Sequence, residues 1–390
     1  MNTPSSRLDL LDALRGGAIV SIMLLHNIEH FDLYFTPDHA PAWLQAVDQV
    51  VWDTMFFLFG GKSYAIFALL FGVTFHLQYH HRALLGVDFR PRYAWRLTLL
   101  LGFGLLNSMV YHGDILSIYA VLGLALIPVA RLPGKAVGAI AVVLLLQPYA
   151  WLEFIQALRH PAENLNDPAS WAYFGRASEY MKHGTLAEVW HGNLTNGKIG
   201  VLLWSWENGR LFQVPALFML GMLAARNNWF QLSAINQRVW LRILGIAVLA
   251  FMPLYLLKTY PQAWNIGQAL ERPLLVIVTS WSNLAWTAVL VAGFTLLFYR
   301  WRALEFFSPL GRMSLTSYVV QSVVGTALYY GYGLGLYQYT GATLALAVGI
   351  LLALLQRQFS VWWLRTHAQG PLEMLWHRAT WVGQARQKLA

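Results

Sequence analysis

Apolar residues gather along this chain in ten long runs, near 13–29, 50–78, 94–111, 115–131, 135–153, 200–225, 239–257, 274–299, 314–334 and 341–363. A helix of about 20 apolar residues crosses the roughly 30 Å hydrocarbon core of a bilayer, so each run qualifies as a membrane span. The pattern predicts an all-α polytopic membrane protein with about ten transmembrane helices, nine to eleven. Residues 1–390 read as one transmembrane domain. The hydrophilic stretch 154–198, with Pro161, Pro168 and mixed charge, reads as a loop and short-helix insertion on the outer side. The second run is interrupted by Gly60-Gly61-Lys62, which predicts a tilted or broken span.

The gaps between runs alternate in charge. One set holds Arg82, Arg90, Arg92 and Arg96, then Arg131 and Lys135, then Arg226, Arg238 and Arg242, then Arg300, Arg302 and Arg312, with Arg357, Arg365, Arg378, Arg386 and Lys388 toward the end. The opposite gaps include EHFDLYFTPDHAPAWLQAVD, which has no Lys or Arg. Basic loops stay on the cytoplasmic side, so ten spans predict both termini in the cytoplasm. MNTPSSRLDLLDALRGG lacks a small-residue cleavage site and carries Asp9, Asp12 and Arg15, so the first helix is expected to be retained.

Composition agrees with the membrane class. The chain is 57% hydrophobic and 12% charged, with mean hydropathy +0.46, whereas soluble domains carry about 25% charged residues. The net charge of +9 is spread over short loops, a distribution that excludes a nucleic-acid partner and leaves the lipid bilayer. Without cysteine there is no disulfide or thiolate metal site, and no other spacing makes a metal ligand set. The oligomeric state stays open, a homodimer included.

Ionisable groups at membrane depth face a bundle interior or a cavity and mark function by default. In ALRGGAIVSIMLLHNI, Arg15 and His26 are eleven residues apart. That is almost three helical turns, so they share a face within roughly 20° and lie about 16 Å apart along the axis. His26, followed by Asn27, is a candidate base or nucleophile; a plain interhelical hydrogen bond is the alternative. Arg15 is an anion ligand or a positive-inside anchor, with Gly16 and Gly17 allowing close approach of a ligand or another backbone. Lys62 sits mid-span and needs a partner or a cavity, and Asp53 would meet it only if Gly-Gly breaks the helix. Glu207 and Arg210, around Asn208, stand at i,i+3 and could simply pair. His112 and Asp114 share a short outer turn, where Asp114 either caps the next helix or orients an imidazole. Arg312, Ser314 and Gln321 open the ninth run, with Ser314 and Gln321 two turns apart; packing is the favoured reading for Ser/Thr there.

Six segments, RLDLLDALRGGAI, FGGKSYAIFALLFG, GDILSIYAVLG, GRLFQVPALFMLGM, GRMSLTSYVVQS and GPLEMLWHRAT, run in order from residue 7 to about 380. Together they resemble the YeiB-like family of bacterial inner-membrane proteins of unknown function. That family is in turn similar to transmembrane acyltransferases of the acyltransferase-3 and heparan glucosaminide acetyltransferase type. The acyltransferase-3 hallmark in the first membrane helix, Arg or Lys, ten residues, then His, is matched by Arg15 and His26; the further arginine motifs of those enzymes are not evident. The resemblance implies an acyltransferase-3-like bundle that moves an acyl group from cytoplasmic acyl-CoA, acetyl-CoA in the simplest case, to a glycan, lipid or small metabolite at the outer face. Arg15, Gly16, Gly17 and Arg312 would then hold the donor, with His26, Asp114, Lys62 and Arg210 as catalytic groups. A secondary transporter or lipid translocator is the alternative, and a non-catalytic scaffold the third reading.

Overall fold

The computed structural model describes residues 4–35, 37, 40–160 and 167–382, and the described residues form helices and turns without strands. In chain order the helices are α1 (Pro4–Ile28), α2 (Ala42–Phe59), α3 (Ser63–Leu84), α4 (Arg90–Val110), α5 (Leu116–Leu122), α6 (Leu126–Val129), α7 (Gly134–Leu145), α8 (Pro148–Arg159) and α9 (Ala169–His183). There follow α10 (Leu186–Gly192), α11 (Lys198–Glu207), α12 (Arg210–Arg226), α13 (Ala234–Thr259), α14 (Gln268–Arg300), α15 (Ser308–Arg312), α16 (Ser314–Tyr329), α17 (Ala342–Trp363) and α18 (Pro371–Thr380). Pro161, Arg386 and Lys388, named above, lie outside the described residues.

Among the described residues, five helical stretches are long and apolar enough to cross a membrane: Asp9–Ile28, Ala42–Leu84, Ala234–Thr259, Gln268–Arg300 and Ala342–Trp363. A sixth results if Gly134–Leu145 and Pro148–Arg159, bent by 40°, form one span. The remaining runs are helical but fall short for physical reasons. Helix α4 begins with Arg90, Arg92 and Arg96, a 3-10 turn at Gly123–Ala125 interrupts the 116–129 segment, Asn208 and Gly209 part α11 from α12, and α16 has only 16 residues. The apolar stretch Ala42–Leu84 is 43 residues long, roughly twice what the bilayer core requires at 1.5 Å per residue.

That stretch is broken where the sequence predicts. Gly61 sits at φ +74°, a left-handed conformation that glycine adopts without strain, and a Cβ there would come within 2.7 Å of the Asn283 amide. Lys62 Nζ turns back to the carbonyl oxygens of Phe56 and Phe57, at 3.1 and 3.0 Å. These are orphan acceptors in the last turn of α2, and a cation suits the negative end of a helix.

Glycines also bring helices into backbone contact. A Cβ on Gly16 would stand 1.9 Å from the carbonyl oxygen of Phe307, and one on Gly311 would stand 1.8 Å from that of Asp12. Helix α1 therefore lies directly on α15. Gly72 of α3 and Gly221 of α12 do the same, facing the carbonyls of Phe218 and Leu69. Close crossings through small residues are how helices associate where burial from water gives no drive.

The basic gaps come together at one end of the bundle. Arg226 donates to the carbonyls of Ala130 and Leu132, Arg131 pairs with Asp88, Arg92 donates to Thr380, and Arg96 lies over the Trp376 ring. Beside them Arg312 donates to Ala368, Arg357 to Phe306, and Arg302 pairs with Asp9 and Glu305. Two of the sequence segments meet here: Glu373 of α18 accepts from the Leu315 and Thr316 amides at 2.6 and 3.2 Å and from the Thr316 hydroxyl at 2.6 Å. It is an N-terminal cap for α16 supplied from a distant part of the chain.

Candidate functional site

At the opposite end the helices part around a cavity of about 1340 Å³. It is lined from α1 and its exit turn by His26, Glu29, Asp32 and Tyr34, and from the α2–α3 break by Asp53 and Lys62. From α11 and α12 come Glu207, Asn208 and Arg210. Ligand pockets usually measure about 300–1,000 Å³, so this one has room for more than one small molecule.

His26 is the best-organised group in it. Its Nδ1 lies 3.2 Å from Glu29 Oε2 and 3.2 Å from the Tyr111 hydroxyl. A carboxylate beside Nδ1 selects the tautomer with the proton there, directed at Glu29, and leaves Nε2 as the basic nitrogen. Tyr111 then gives its own proton to Asp32, with which it is hydrogen-bonded. Glu29 is further held by the Tyr34 hydroxyl, 3.3 Å from Oε1.

Beyond Glu29 the chain leaves α1 through a tight turn. His30, Phe31 and Asp32 have φ of +48°, +54° and +73°, and Tyr34 has +49°. Consecutive non-glycine residues in the left-handed region cost about 1–2 kcal/mol each, a strain that persists only where surroundings hold it. Here the surroundings are specific. Phe31 is fully buried, its carbonyl accepts from Tyr330 at 2.7 Å, and His30 Nε2 is 2.9 Å from the Thr340 hydroxyl. Glu29, whose amide still donates to Leu25 O, meets His26 one helical turn away, and the turn that follows brings Asp32 to 3.5 Å from His112 Nε2. Burial raises the Asp32 carboxyl and lowers the His112 imidazole from their ordinary values, which favours the neutral form of each. Burial likewise lowers His30, to about 4.

Arg210 lies over the rings of Tyr64 and Trp204, with its guanidinium carbon 4.2 and 3.9 Å from their centroids. Two contacts correct the pairings considered from spacing. Glu207 does not pair with Arg210; its carboxylate accepts from the Ser170 amide at 3.2 Å and hydroxyl at 2.5 Å. The helix breaks at Gly60-Gly61, yet Asp53 still does not meet Lys62, because Asp53 accepts from Gln49 one turn earlier at 3.0 Å. The Asn208 amide donates to Trp204 O at 2.8 Å.

The other residues named from the sequence stand away from the cavity. Asp114 caps α5, accepting from the Ser117 amide at 3.0 Å, and takes Asn107 at 3.0 Å and Lys198 Nζ at 3.6 Å. Among the described residues Asp114 thus meets no imidazole, and Asp32 is the carboxylate beside His112. Asn27 bonds Met23 O and the Tyr329 hydroxyl. Gln321 is buried in α16, its amide without a hydrogen-bond partner among the described residues, and Ser314 opens the same helix at the basic end.

The residues considered for a donor all have close neighbours within the protein. Arg15 is spent on Asp12 at 3.0 Å and Thr74 at 3.1 Å, and Arg312 on the Ala368 carbonyl. Gly16 is closed by Phe307 and Gly17 by the Phe294 ring. Conversely, the structure adds Glu29, Asp32, Tyr111, Lys198 and Lys258, which sequence pattern alone does not single out. The one signal for them is the spacing of His26, Glu29 and Asp32 at i, i+3 and i+6.

Residues 224–383 match the family described as Protein of unknown function (DUF418). Relatives extend the likeness over the whole chain. An uncharacterized protein, YxaH, of Bacillus subtilis (strain 168) is 28% identical over 97% of this chain and 95% of its own length. The uncharacterized protein YeiB of Escherichia coli (strain K12) is 27% identical over 95% of each. Over nearly its whole length the chain is therefore similar to YeiB and YxaH. An uncharacterized 39.9 kDa protein from Bacillus acidopullulyticus is also similar, 24% identical over 96% of this chain and 94% of its own length. No solved structure matches. The cavity of this YeiB-like protein is built mainly from the part of the chain before residue 224, which the whole-length relatives cover and the family model does not.

Proposed function

We propose that this YeiB-like protein is a bacterial inner-membrane acyltransferase whose acceptor site is the cavity around His26. The carrying observation is the His26–Glu29 pair, 3.2 Å apart on the wall of a 1340 Å³ cavity. Glu29 would stabilise the imidazolium that forms when Nε2 takes a proton from an acceptor hydroxyl or amine. The acceptor oxygen or nitrogen bonds to the carbonyl carbon of an acyl thioester, the carbon–sulfur bond breaks, and the imidazolium returns its proton to the leaving thiolate. Arg210, held rigidly between two rings, supplies positive charge for the oxyanion between these steps. The donor is an acyl-CoA substrate, and no residue is assigned to its phosphates. In this reading ten helical segments cross the inner membrane, the basic end and both termini face the cytoplasm, and the cavity opens toward the outer side.

The test is transfer of labelled acetyl from acetyl-CoA by purified protein in detergent or vesicles. Transfer that persists unchanged in His26→Ala overturns the mechanism, as does absence of transfer to any hydroxyl or amine acceptor. One observation favours a second reading, a transporter: the helix break at Gly60-Gly61-Lys62 lines the cavity, and broken helices at mid-membrane are a transporter device. Ion-coupled uptake into vesicles without acyl transfer would select it.

A further inference from the structure

The carboxylates of the cavity are nearly all engaged. Glu29 serves His26 and Tyr34, Asp32 serves His112 and Tyr111, Asp53 takes Gln49, and Glu207 takes Ser170. Glu153 is hydrogen-bonded to Tyr149 and lies in the field of Arg272, while Asp167 is exposed at the margin. The cations divide differently. Arg210 has rings on its faces and no hydrogen-bond acceptor or carboxylate within bonding distance among the described residues. Lys258, half-buried in the last turn of α13, likewise has no hydrogen-bond acceptor among the described residues, and it is close enough to Lys62 for the two ammonium charges to act on one another. Lys62 spends two donors on Phe56 and Phe57 and keeps one.

All three cations line the same cavity. Lys62 and Tyr64 are separated by a single residue, and Arg210 rests on Tyr64. Phe57, whose carbonyl binds Lys62, packs against Tyr255 one turn before Lys258, ring centroids 5.4 Å apart. Like charges held together in a half-dry cavity are costly unless an anion joins them. Guanidinium and ammonium donors suit phosphate or carboxylate oxygens.

We infer that the wall formed by Lys62, Arg210 and Lys258 is a subsite for an anionic group, phosphate or carboxylate, on the molecule that enters this cavity. This rests on the reading of the cavity as the acceptor site, and it narrows the acceptor to an anionic one whose hydroxyl or amine reaches His26. The donors that remain free on the wall, five on Arg210, three on Lys258 and one on Lys62, match a tetrahedral phosphate better than a neutral sugar. The phosphate could belong to a lipid headgroup or to a free metabolite.

Binding, not transfer, tests it, so a failure of the acyl-transfer chemistry leaves the outcome readable. Purified full-length protein in neutral detergent is titrated with dioctanoyl phosphatidylglycerol, glycerol phosphate and inorganic phosphate, with dioctanoylglycerol and glycerol as neutral controls. At least one anionic probe should bind, and more tightly than its control. Lys258→Gln and Arg210→Gln should each weaken it about tenfold, as loss of one charge-assisted contact does, while Arg15→Gln at the other end changes nothing. Lys62 also caps α2, so its substitution is not used. Binding of the lipid alone assigns a headgroup; binding of the soluble phosphates assigns a free metabolite. Equal affinity for anionic and neutral probes, or affinity indifferent to both substitutions, overturns the inference.

Discussion

At the basic end Arg226, Arg92, Arg312 and Arg357 each donate to a main-chain carbonyl of another segment, and Arg96 covers a tryptophan ring. At the cavity end Arg210 and Lys258 have no such acceptor among the described residues, while His26 is presented by a carboxylate. The residue types are the same. What differs is whether the backbone has already used their hydrogen-bonding capacity, and so whether any is left for a ligand. A cation whose donors are met by carbonyls ties helices together; one with donors unmet inside a cavity is ready for a partner from outside. Arg15 stands apart from both groups, with the Asp12 carboxylate and the Thr74 hydroxyl as its partners.

The comparison can be broken most strongly at Gly16. A Cβ there meets Phe307 O at 1.9 Å, so Gly16→Val should cost more than about 4 kcal/mol, the range of severe overpacking and backbone displacement. Size-exclusion chromatography should show little monodisperse protein; a well-folded variant would mean that α1 does not lie on α15. At the cavity end the expected effect is on chemistry alone. His26→Ala should lower transfer by about 10³-fold and Glu29→Gln by about 10–100-fold, the span of general-base catalysis and its orienting partner, with melting temperature little changed.

Next in size is a pH effect. His30 is held at about 4 in the folded protein against about 6.5 when free. The unfolded chain therefore takes up its proton first as pH falls, and stability drops between about pH 6.5 and 4 by about 3 kcal/mol. His30→Gln should flatten that drop when melting temperatures are compared at pH 7 and 4.5. The smallest effect belongs to Arg15→Gln. Losing Asp12 and Thr74 should cost about 1 kcal/mol and leave the KM for an acyl donor within twofold. A large rise in KM would move Arg15 back to the ligand-binding side of the comparison.

The helical runs, the break after Phe59 and the shared end of the basic gaps were legible because each follows from local pattern: apolar length, Gly-Gly, and charge in alternate loops. The membership of the site was legible only in part. His26, Lys62, Glu207, Asn208, Arg210 and Asp53 do line one cavity, but their partners were misjudged wherever spacing stood in for contact. An i,i+3 pair can form on a helix; it does not form when Ser170, far away in sequence, offers a better bond. Gly16 and Gly17 announced a close approach, and sequence cannot say whether a ligand or a neighbouring helix makes it.

By itself, then, the sequence determined a helical membrane protein with a charged polarity from end to end, since hydropathy and loop charge are sums over neighbouring residues. Only the tertiary structure decided which charges are satisfied. That depends on acceptors brought from elsewhere in the chain, such as Glu373 on α16 or Thr340 on His30. It also depends on a left-handed turn at His30–Asp32, which no propensity favours and only packing can hold.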